Sequence, residues 1–129
     1  MTSAFERALA VGQRAAMKIH SLPLTYTRAG FDAVPLTGSQ GKKLFKIQEP
    51  GKPIVMVQSV DFLIKAADLV IDDTATEPER YDEISHTIGT QKKTYKVLPM
   101  GREIPIFEYT DSGETVFRIH TKFDRQETV

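Results

Sequence analysis

The apolar centre of the chain is the stretch Ile54–Val70, which lies near the middle of the 129 residues. Its first four positions, Ile54–Val57, are all apolar, which is typical of a strand covered on both faces. From residue 60 onward, apolar and polar positions alternate with a period of two, which predicts a strand with one solvated side. Asp61 is predicted on the solvated side, opposite Val60 and Phe62.

Other segments with alternating patterns or turn signals predict further short strands. Pro23 near the start of the first strand favours an edge position. The Gly- and Lys-containing segment Thr37–Lys43 is predicted to be a flexible loop between two strands. The predicted strands and hairpins are Leu22–Thr27, Phe31–Leu36, Leu44–Gln48, a hairpin over Glu83–Pro99 that turns at Gly89-Thr90-Gln91, and a hairpin of Ile104–Thr110 with Glu114–Phe123 in which Gly113 supplies the left-handed turn residue.

One helix is predicted, over Ser3–His20. Ser3 followed by Glu6 has the spacing of a capping box, and Phe5, Leu9 and Ile19 fall on one helical stripe. A stripe with so few large residues gives a helix that needs a docking surface, either on its own sheet or on a neighbouring subunit.

These elements predict a mainly β fold: a small antiparallel β-barrel or sandwich with one N-terminal α-helix and long loops. The length predicts a single domain over residues 1–129. We expect the helix over residues 3–20, the strands over residues 22–123, and a short C-terminal tail over residues 124–129.

Composition excludes several classes of protein. Lys plus Arg and Asp plus Glu both number 17, so the chain has no basic surplus of the kind that a free-standing non-specific DNA binder needs. With no cysteine there is neither a disulfide framework nor a thiolate metal site. The N-terminus lacks the apolar core of a signal peptide and no apolar run reaches membrane-spanning length, so we expect a cytoplasmic product with no membrane partner.

Charge is unevenly distributed along the chain. The segment Asp68–Glu83 contains seven acidic residues and one base, Arg80, which indicates a solvated acidic connection or a surface for a basic neighbour. Two later strands are basic. In the last one, Phe117, Ile119, Thr121 and Phe123 are predicted to face inward, which places the basic residues on the other side. The candidate interface residues are Asp72, Asp73, Glu77 and Glu79 on the acidic side, and Lys92, Lys93, Lys96, Arg118, His120 and Lys122 on the basic side.

No catalytic constellation stands out. Residues Asp72–Glu83 have the length of a calcium loop but lack its turn glycine, and Gly41-Lys42 lacks the other residues of a phosphate loop. His86 lies on an apolar face, which favours a hydrogen-bonded core histidine. We predict no catalytic residue, no metal and no cofactor; a small enzyme remains an alternative only if Asp61, His86 and His120 meet in space.

Several phrases together resemble a known family. They are Leu24-Thr25-Tyr26-Thr27-Arg28, Asp61-Phe62-Leu63-Ile64-Lys65-Ala66-Ala67-Asp68-Leu69 and Arg118-Ile119-His120-Thr121-Lys122, with Pro78–Ile84, Tyr95-Lys96-Val97 and Phe107–Asp111 between them. In this order they are similar to the head-tail joining, or head-closure, proteins of tailed bacteriophages. The sequence departs from the family pattern at Tyr81, where the turn residue is usually glycine, and at Phe107, where tryptophan is common.

The resemblance implies a structural protein of the phage neck, a stopper that forms a ring of six or twelve copies. Such a ring joins the portal or adaptor of the DNA-filled head to the tail terminator or tail tube, and it retains the genome, whose double-stranded DNA passes through the channel. It implies a location in the virion neck, and in the host cytoplasm during assembly. A tail terminator or another connector ring protein is the nearest alternative.

An alternative from a different functional class is a small barrel that binds nucleic acid. Its motivation is the interleaving of basic and aromatic residues, at Lys93, Tyr95 and Lys96, and again at Phe117, Arg118 and Lys122.

Overall fold

The structure is a computed structural model, and it describes residues 21–129. The predicted helix Ser3–His20 lies outside the described residues. The remainder is mainly β, as predicted, with one short 3-10 turn, Ala66–Asp68. The strands are β1 Leu22–Thr27, β2 Val34–Ile47, β3 Val55–Lys65, β4 Val70–Ile71, β5 Thr74–Ala75, β6 Glu83–Ile88, β7 Gln91–Val97, β8 Phe107–Tyr109 and β9 Val116–Thr128.

Seven strands form one antiparallel sheet in the order β3-β2-β1-β6-β7-β9-β8. In addition, β3 pairs with β9, from Val60 opposite Thr121 to Lys65 opposite Val116. The sequence of strand pairs therefore returns to its starting strand, with β8 attached to β9. The two short strands β4 and β5 form a separate hairpin within the acidic segment Asp68–Glu83.

The core consists of the apolar side chains that alternate along these strands. Phe62 on β3 and Tyr95 on β7 meet edge to face, with ring centroids 5.2 Å apart. Each large apolar side chain buried in this way contributes roughly 1.5–3 kcal/mol relative to exposure. The buried apolar residues that form this cluster are Leu24, Tyr26, Phe62, Ile64, Leu69, Ile71, Ile84, Tyr95, Val97, Phe117 and Ile119.

The two later hairpins are confirmed, since β6 pairs with β7 and β8 with β9. The positive φ of the second turn lies at Glu114 (56°) instead of the predicted Gly113. β9 continues to Thr128 along β7, so the predicted C-terminal tail from residue 124 is wrong. The predicted edge strand is also wrong: β1 lies between β2 and β6, and Pro23 is tolerated because pairing with β6 begins only at Thr25.

The predicted loop Thr37–Lys43 is the middle of a continuous strand, β2, which runs over Val34–Ile47. Its glycines and polar residues resemble a loop, but pairing with β1 on one side and β3 on the other keeps the backbone extended. Gly38 has a packing reason, because a Cβ there would lie 2.5 Å from the backbone oxygen of Leu63 and 3.0 Å from Leu24 Cδ1. Tertiary pairing thus overrides local propensity.

The prediction that Ile54–Val57 form a covered strand is wrong, because Ile54, Val55 and Met56 are among the exposed large apolar residues. Among residues 21–129, residues 55–59 of β3 pair with β2 alone, and residues 42–47 of β2 pair with β3 alone. These residues form a two-stranded extension of the sheet, the β2–β3 arm. Four consecutive apolar residues fit a covered strand and an exposed arm equally well. The sequence pattern alone therefore does not show that these residues are exposed.

The solvated face predicted for the second half of β3 is also wrong at Asp61. Asp61 is on the opposite face from Phe62, as the alternation predicts, but that face is covered and Asp61 is fully buried. Phe123 on β9 was predicted to face inward, yet it is 53% exposed. It packs against Tyr95 with ring centroids 5.7 Å apart, at a point where β9 has passed beyond its pairing with β3.

Candidate functional site

A set of charged groups, partly buried, surrounds Asp61 on β3. The carboxylate lies directly across the ladder from His120 on β9, and both side chains are almost fully buried. Arg118, two residues earlier on β9, is on the same face as His120 because side chains alternate along a strand. We refer to Ser59, Asp61, Glu108, Arg118 and His120 as the Asp61 cluster.

Three side chains hold the buried carboxylate. Ser59 Oγ donates to Asp61 Oδ1 at 2.5 Å, Arg118 Nε donates to Oδ2 at 2.5 Å, and His120 Nδ1 lies 2.9 Å from Oδ1. Burial by itself raises the pKa of Asp61, but the hydrogen bonds from His120, Ser59 and Arg118 outweigh it and hold the pKa below its ordinary value. The aspartate is therefore charged, buried and fully partnered.

The cluster extends outward from His120 to the surface. His120 Nε2 lies 3.8 Å from Glu108 Oε1, and Glu108 is paired with Lys43 Nζ at 2.9 Å. The edge of the Phe45 ring covers the imidazole, with ring centroids 5.0 Å apart. The Asp61 cluster thus connects side chains of β3, β8 and β9, and Lys43 and Phe45 add contacts from β2.

This geometry differs from that of a nucleophilic triad. In such a triad the serine hydroxyl bonds to the imidazole nitrogen that points away from the carboxylate. Here Ser59 bonds to the same carboxylate oxygen that faces His120, and His120 Nε2 faces Glu108. The arrangement fixes strands to one another and does not activate Ser59.

The three residues proposed for an enzyme do not meet. Asp61 and His120 are together, but His86 lies on β6, on the face that carries Ile84 of the core. Burial, and then the charge of Lys93, lower the pKa of His86. The predicted core placement is confirmed, but His86 Nε2 has no hydrogen-bond partner in the part of the chain described.

A second buried aspartate, Asp82, lies at the end of the acidic segment. Tyr26 donates a short hydrogen bond to Asp82 Oδ2, and Arg28 contributes both Nε, at 3.1 Å from Oδ1, and the second nitrogen Nη2, at 2.9 Å from Oδ2. The backbone N–H of Glu79 donates to the same carboxylate at 2.9 Å. We call these residues the Asp82 hub.

Arg28 extends the Asp82 hub along the acidic segment. Its guanidinium also donates to Thr76 Oγ1 at 3.1 Å and to the backbone oxygen of Glu77 at 2.8 Å, and it pairs with Glu79 at 3.0 Å. Hydrogen bonding to Asp82 is the main reason that the pKa of Arg28 is raised. One side chain directly after β1 thereby fixes the course of a loop about fifty residues later in the chain.

Sequence reasoning missed the Asp82 hub. The signal was present, because Tyr26, Arg28 and Asp82 all lie within the phrases that carry the family resemblance. No spacing rule joins residues so far apart, so only the structure shows that these phrases contact each other. Tyr81, which stands where the family pattern has glycine, has a φ of 75°, a conformation that glycine adopts without strain.

The predicted acidic interface residues are exposed on this segment. Asp72 and Asp73 form the β4–β5 turn, with φ values of 52° and 61°. Glu77 is exposed, and Glu79, although exposed, is paired with Arg28. Three of the four therefore present carboxylates without an ion-pair partner within residues 21–129.

The predicted basic residues divide into two groups. Arg118 and His120 belong to the Asp61 cluster, where His120 is 1% exposed, so the solvated face predicted for this strand is wrong at His120. Lys122 is exposed, and Lys96 Nζ lies 3.9 Å from Asp124. The other two members, Lys92 and Lys93, are half-buried on β7. Within residues 21–129, no ion pair joins the predicted acidic set to the predicted basic set.

The aromatic residues proposed for nucleic-acid stacking are in the core. Tyr95 and Phe117 are both buried, and Tyr95 packs edge to face on Phe62. Stacking on a base requires an accessible ring face. These two residues therefore do not form a stacking platform in this structure.

Within the described residues, no helix has both the length and the apolar character needed to span a membrane. The same residues contain no group of three or more His, Cys, Asp or Glu side chains arranged to hold a metal ion. A search of curated proteins finds no match. A family model described as phage head-tail joining protein matches residues 2–128. The match covers almost the whole chain and agrees with the phrases noted in the sequence, and the chain therefore belongs to the phage head-tail joining protein family.

Proposed function

We propose that this chain is a structural subunit of the phage neck that forms a closed ring of six or twelve copies. The ring lies between the portal or adaptor of the head and the tail terminator or tail tube, and it retains the packaged double-stranded DNA that passes through its channel. The observation that carries the proposal is the family match over residues 2–128. The subunit acts in the virion neck after assembly in the host cytoplasm.

The strand pairing supports a subunit built as one small barrel, in a single domain. Each strand of the cycle β3-β2-β1-β6-β7-β9 is paired on both sides over part of its length, since β3 also pairs with β9. Closure of this kind reduces the free sheet edges that favour uncontrolled strand addition, although the β2–β3 arm keeps its edges open. A subunit with few free edges assembles through specific side-chain surfaces and not through added strands.

The distribution of charge supports contacts between different surfaces of neighbouring copies. A closed ring requires that one surface of each copy meets a different surface of the next. We propose the exposed carboxylates Asp72, Asp73 and Glu77, with Glu79, as one side of such contacts. For the basic side, the exposed or half-exposed candidates from the sequence are Lys92, Lys93, Lys96, Lys122 and Arg118. Opposite charge steers association and fixes its register.

The proposal is tested by removing the gene from its phage and examining the particles. We expect heads that package DNA but lack tails. These heads should then lose their DNA, which is measured as nuclease-sensitive DNA after gentle lysis. Electron microscopy of wild-type particles should show a ring of this protein in the neck. If the protein never enters particles, and tails join normally without it, the proposal is wrong.

A further inference from the structure

The β2–β3 arm presents large apolar side chains to solvent. Leu44 is 60% exposed and Met56 is 56% exposed. Leu44 is opposite Gln58 and Met56 is opposite Lys46, so Leu44 and Met56 are diagonal neighbours in the ladder. Diagonal neighbours are within reach of long side chains. Adjacent exposed apolar residues form a patch. Such a patch indicates an interaction surface, whereas single exposed apolar residues are ordinary.

The opposite face of the arm is already occupied by the same subunit. Lys43 pairs with Glu108, and Phe45 lies against His120. Ile47 packs over Gly101, where a Cβ would come within 3.0 Å of the Ile47 side chain. These contacts hold the arm in place and leave its other side open. We call that open side, formed by Lys42, Leu44, Lys46, Met56 and Gln58, the Leu44 face.

The Leu44 face is basic as well as apolar. Lys42 and Lys46 lie two residues before and after Leu44, so the strand periodicity puts all three on one side. Both lysines are exposed, and neither has an ion-pair partner within residues 21–129. A partner for this face needs an apolar centre with acidic residues on each side.

The acidic segment carries the complementary pattern. Asp68 ends the 3-10 turn, Val70 begins β4 and Asp72 lies in the β4–β5 turn, so an apolar residue has an acidic residue on each side of it along the chain. All three are exposed, with Val70 at 37%. The two aspartates have no ion-pair partner among the described residues.

One subunit cannot bring its own two surfaces together. Met56 is near the start of β3, and Asp68 follows shortly after its end at Lys65. Leu44 is level with Gln58, and the strand from there to Lys65 spans about 23 Å, at ~3.3 Å per residue. The Leu44 face and the acidic segment therefore lie at opposite ends of β3, and their contact requires two molecules.

We propose that the Leu44 face of one subunit docks on Asp68, Val70 and Asp72 of a second copy of this chain. The contact is between unlike surfaces, so it continues from copy to copy and closes into a ring when the rotation permits. The inference rests on the proposed ring and locates the basic half of its interface. That half is the β2–β3 arm, in place of the β7 lysines Lys92 and Lys93.

The first test uses cross-linking, for which the absence of cysteine in the chain is an advantage. A chain carrying both Leu44→Cys and Val70→Cys should give, after mild oxidation, a ladder of dimers, trimers and higher species. A mixture of the two single variants should stop at dimers, and each single variant alone should stay uncoupled. A double variant that forms only intramolecular products, or none, overturns the inference.

The second test exchanges charges. Lys42→Asp with Lys46→Asp, and separately Asp68→Lys with Asp72→Lys, should each weaken self-association about tenfold at low salt, since each variant brings like charges together. Mixing the two variants should restore association, because the arm of each then meets the opposite charge on the other. Sedimentation velocity measures the association, and thermal unfolding checks that every variant is folded.

Lys92→Asp with Lys93→Asp is the comparison control: it makes the same change in charge on β7, among the basic candidates from the sequence, and it should weaken association less than the arm variant does. If this control loses association and the arm variant keeps it, the docking inference is wrong and the ring proposal stands. A wild-type chain that stays monomeric at every concentration also overturns the inference. Entry into phage particles is measured separately: a chain that forms the ladder but is absent from necks overturns the proposed function and leaves the docking contact intact.

Discussion

Asp61 and Asp82 are both buried aspartates, and each accepts a hydrogen bond from an arginine Nε. Their surroundings differ. Asp61 is on β3 and contacts side chains of β9, and these two strands are already joined by a backbone ladder. Asp82 lies where a loop meets β1, and its partners Arg28 and Tyr26 are the means by which that loop is attached.

The difference indicates two roles for the same chemical group. Loss of Asp61 affects the pairing of β3 with β9, which closes the sheet of the whole subunit. Loss of Asp82 affects the course of the acidic segment Asp68–Glu83, which carries the proposed contact surface. A mutation at the first site should therefore change global stability, and one at the second should change local order and association.

The largest effect is expected for Asp61→Ala. This change leaves Arg118 and the buried His120 without their carboxylate, so the free energy of unfolding should fall by about 3 kcal/mol. Urea denaturation of the purified chain measures it. A loss below about 1 kcal/mol would show that the Asp61 cluster contributes little to closure.

A smaller and more local effect is expected for Asp82→Ala. Arg28 keeps Glu79 and the backbone of Glu77 as partners, so the loss in unfolding free energy should be about 2 kcal/mol. The acidic segment should be released, and trypsin should cleave after the exposed Arg80 faster than in wild type. Equal protection of this segment in wild type and variant would contradict the proposed role of the Asp82 hub.

Sequence reasoning reached the class of fold because alternation and turns are local properties. It found β1, both later hairpins and the face on which Asp61 lies. It did not find what covers that face, since the long loop and β8 that supply Gly101 and Glu108 are remote in sequence. It also read Thr37–Lys43 as a loop, because no local signal shows that this segment pairs with β1 at its start and with β3 from Gly38 onward.

The candidate surfaces were predictable only as charge runs. The composition of Asp68–Glu83 marks the acidic segment, but nothing in the sequence around Arg28 shows that its side chain fixes that segment. On the basic side, Arg118 and His120 were indistinguishable from Lys122 by strand period alone. The single fact that separates them is the carboxylate of Asp61 across the ladder.

Acid pH should sharpen the comparison between the two aspartates. Because the pKa of Asp61 is lower in the folded chain than its ordinary value of 3.8, its stabilisation is present above that pH and is lost as the pH falls through the folded value. The stability difference between wild type and Asp61→Asn should therefore shrink below pH 3.8. Thermal melts of both proteins from neutral to acid pH measure it; a constant difference would contradict the assigned charge state.

The smallest effect is expected at Tyr81, which is next to Asp82 and has a φ of 75°. Tyr81→Gly should stabilise the chain by up to about 1 kcal/mol, because the left-handed conformation costs roughly 1–2 kcal/mol for a residue with a Cβ and glycine loses some of that gain to entropy. Arg80→Gly is the control, since Arg80 is exposed and is not among the residues with positive φ. It should give no gain; equal melting shifts for the two variants would contradict the role of backbone strain.

Pairing of β3 with β9 sets the time at which a newly made chain becomes usable. Val60 needs Thr121 as its ladder partner, so closure waits until the ribosome has translated residue 121. Until then the nascent polypeptide carries an open β3 edge, and long-range strand pairing of this kind folds slowly. The sheet therefore closes only after translation has passed this point, and a shorter nascent chain lacks the β3–β9 ladder.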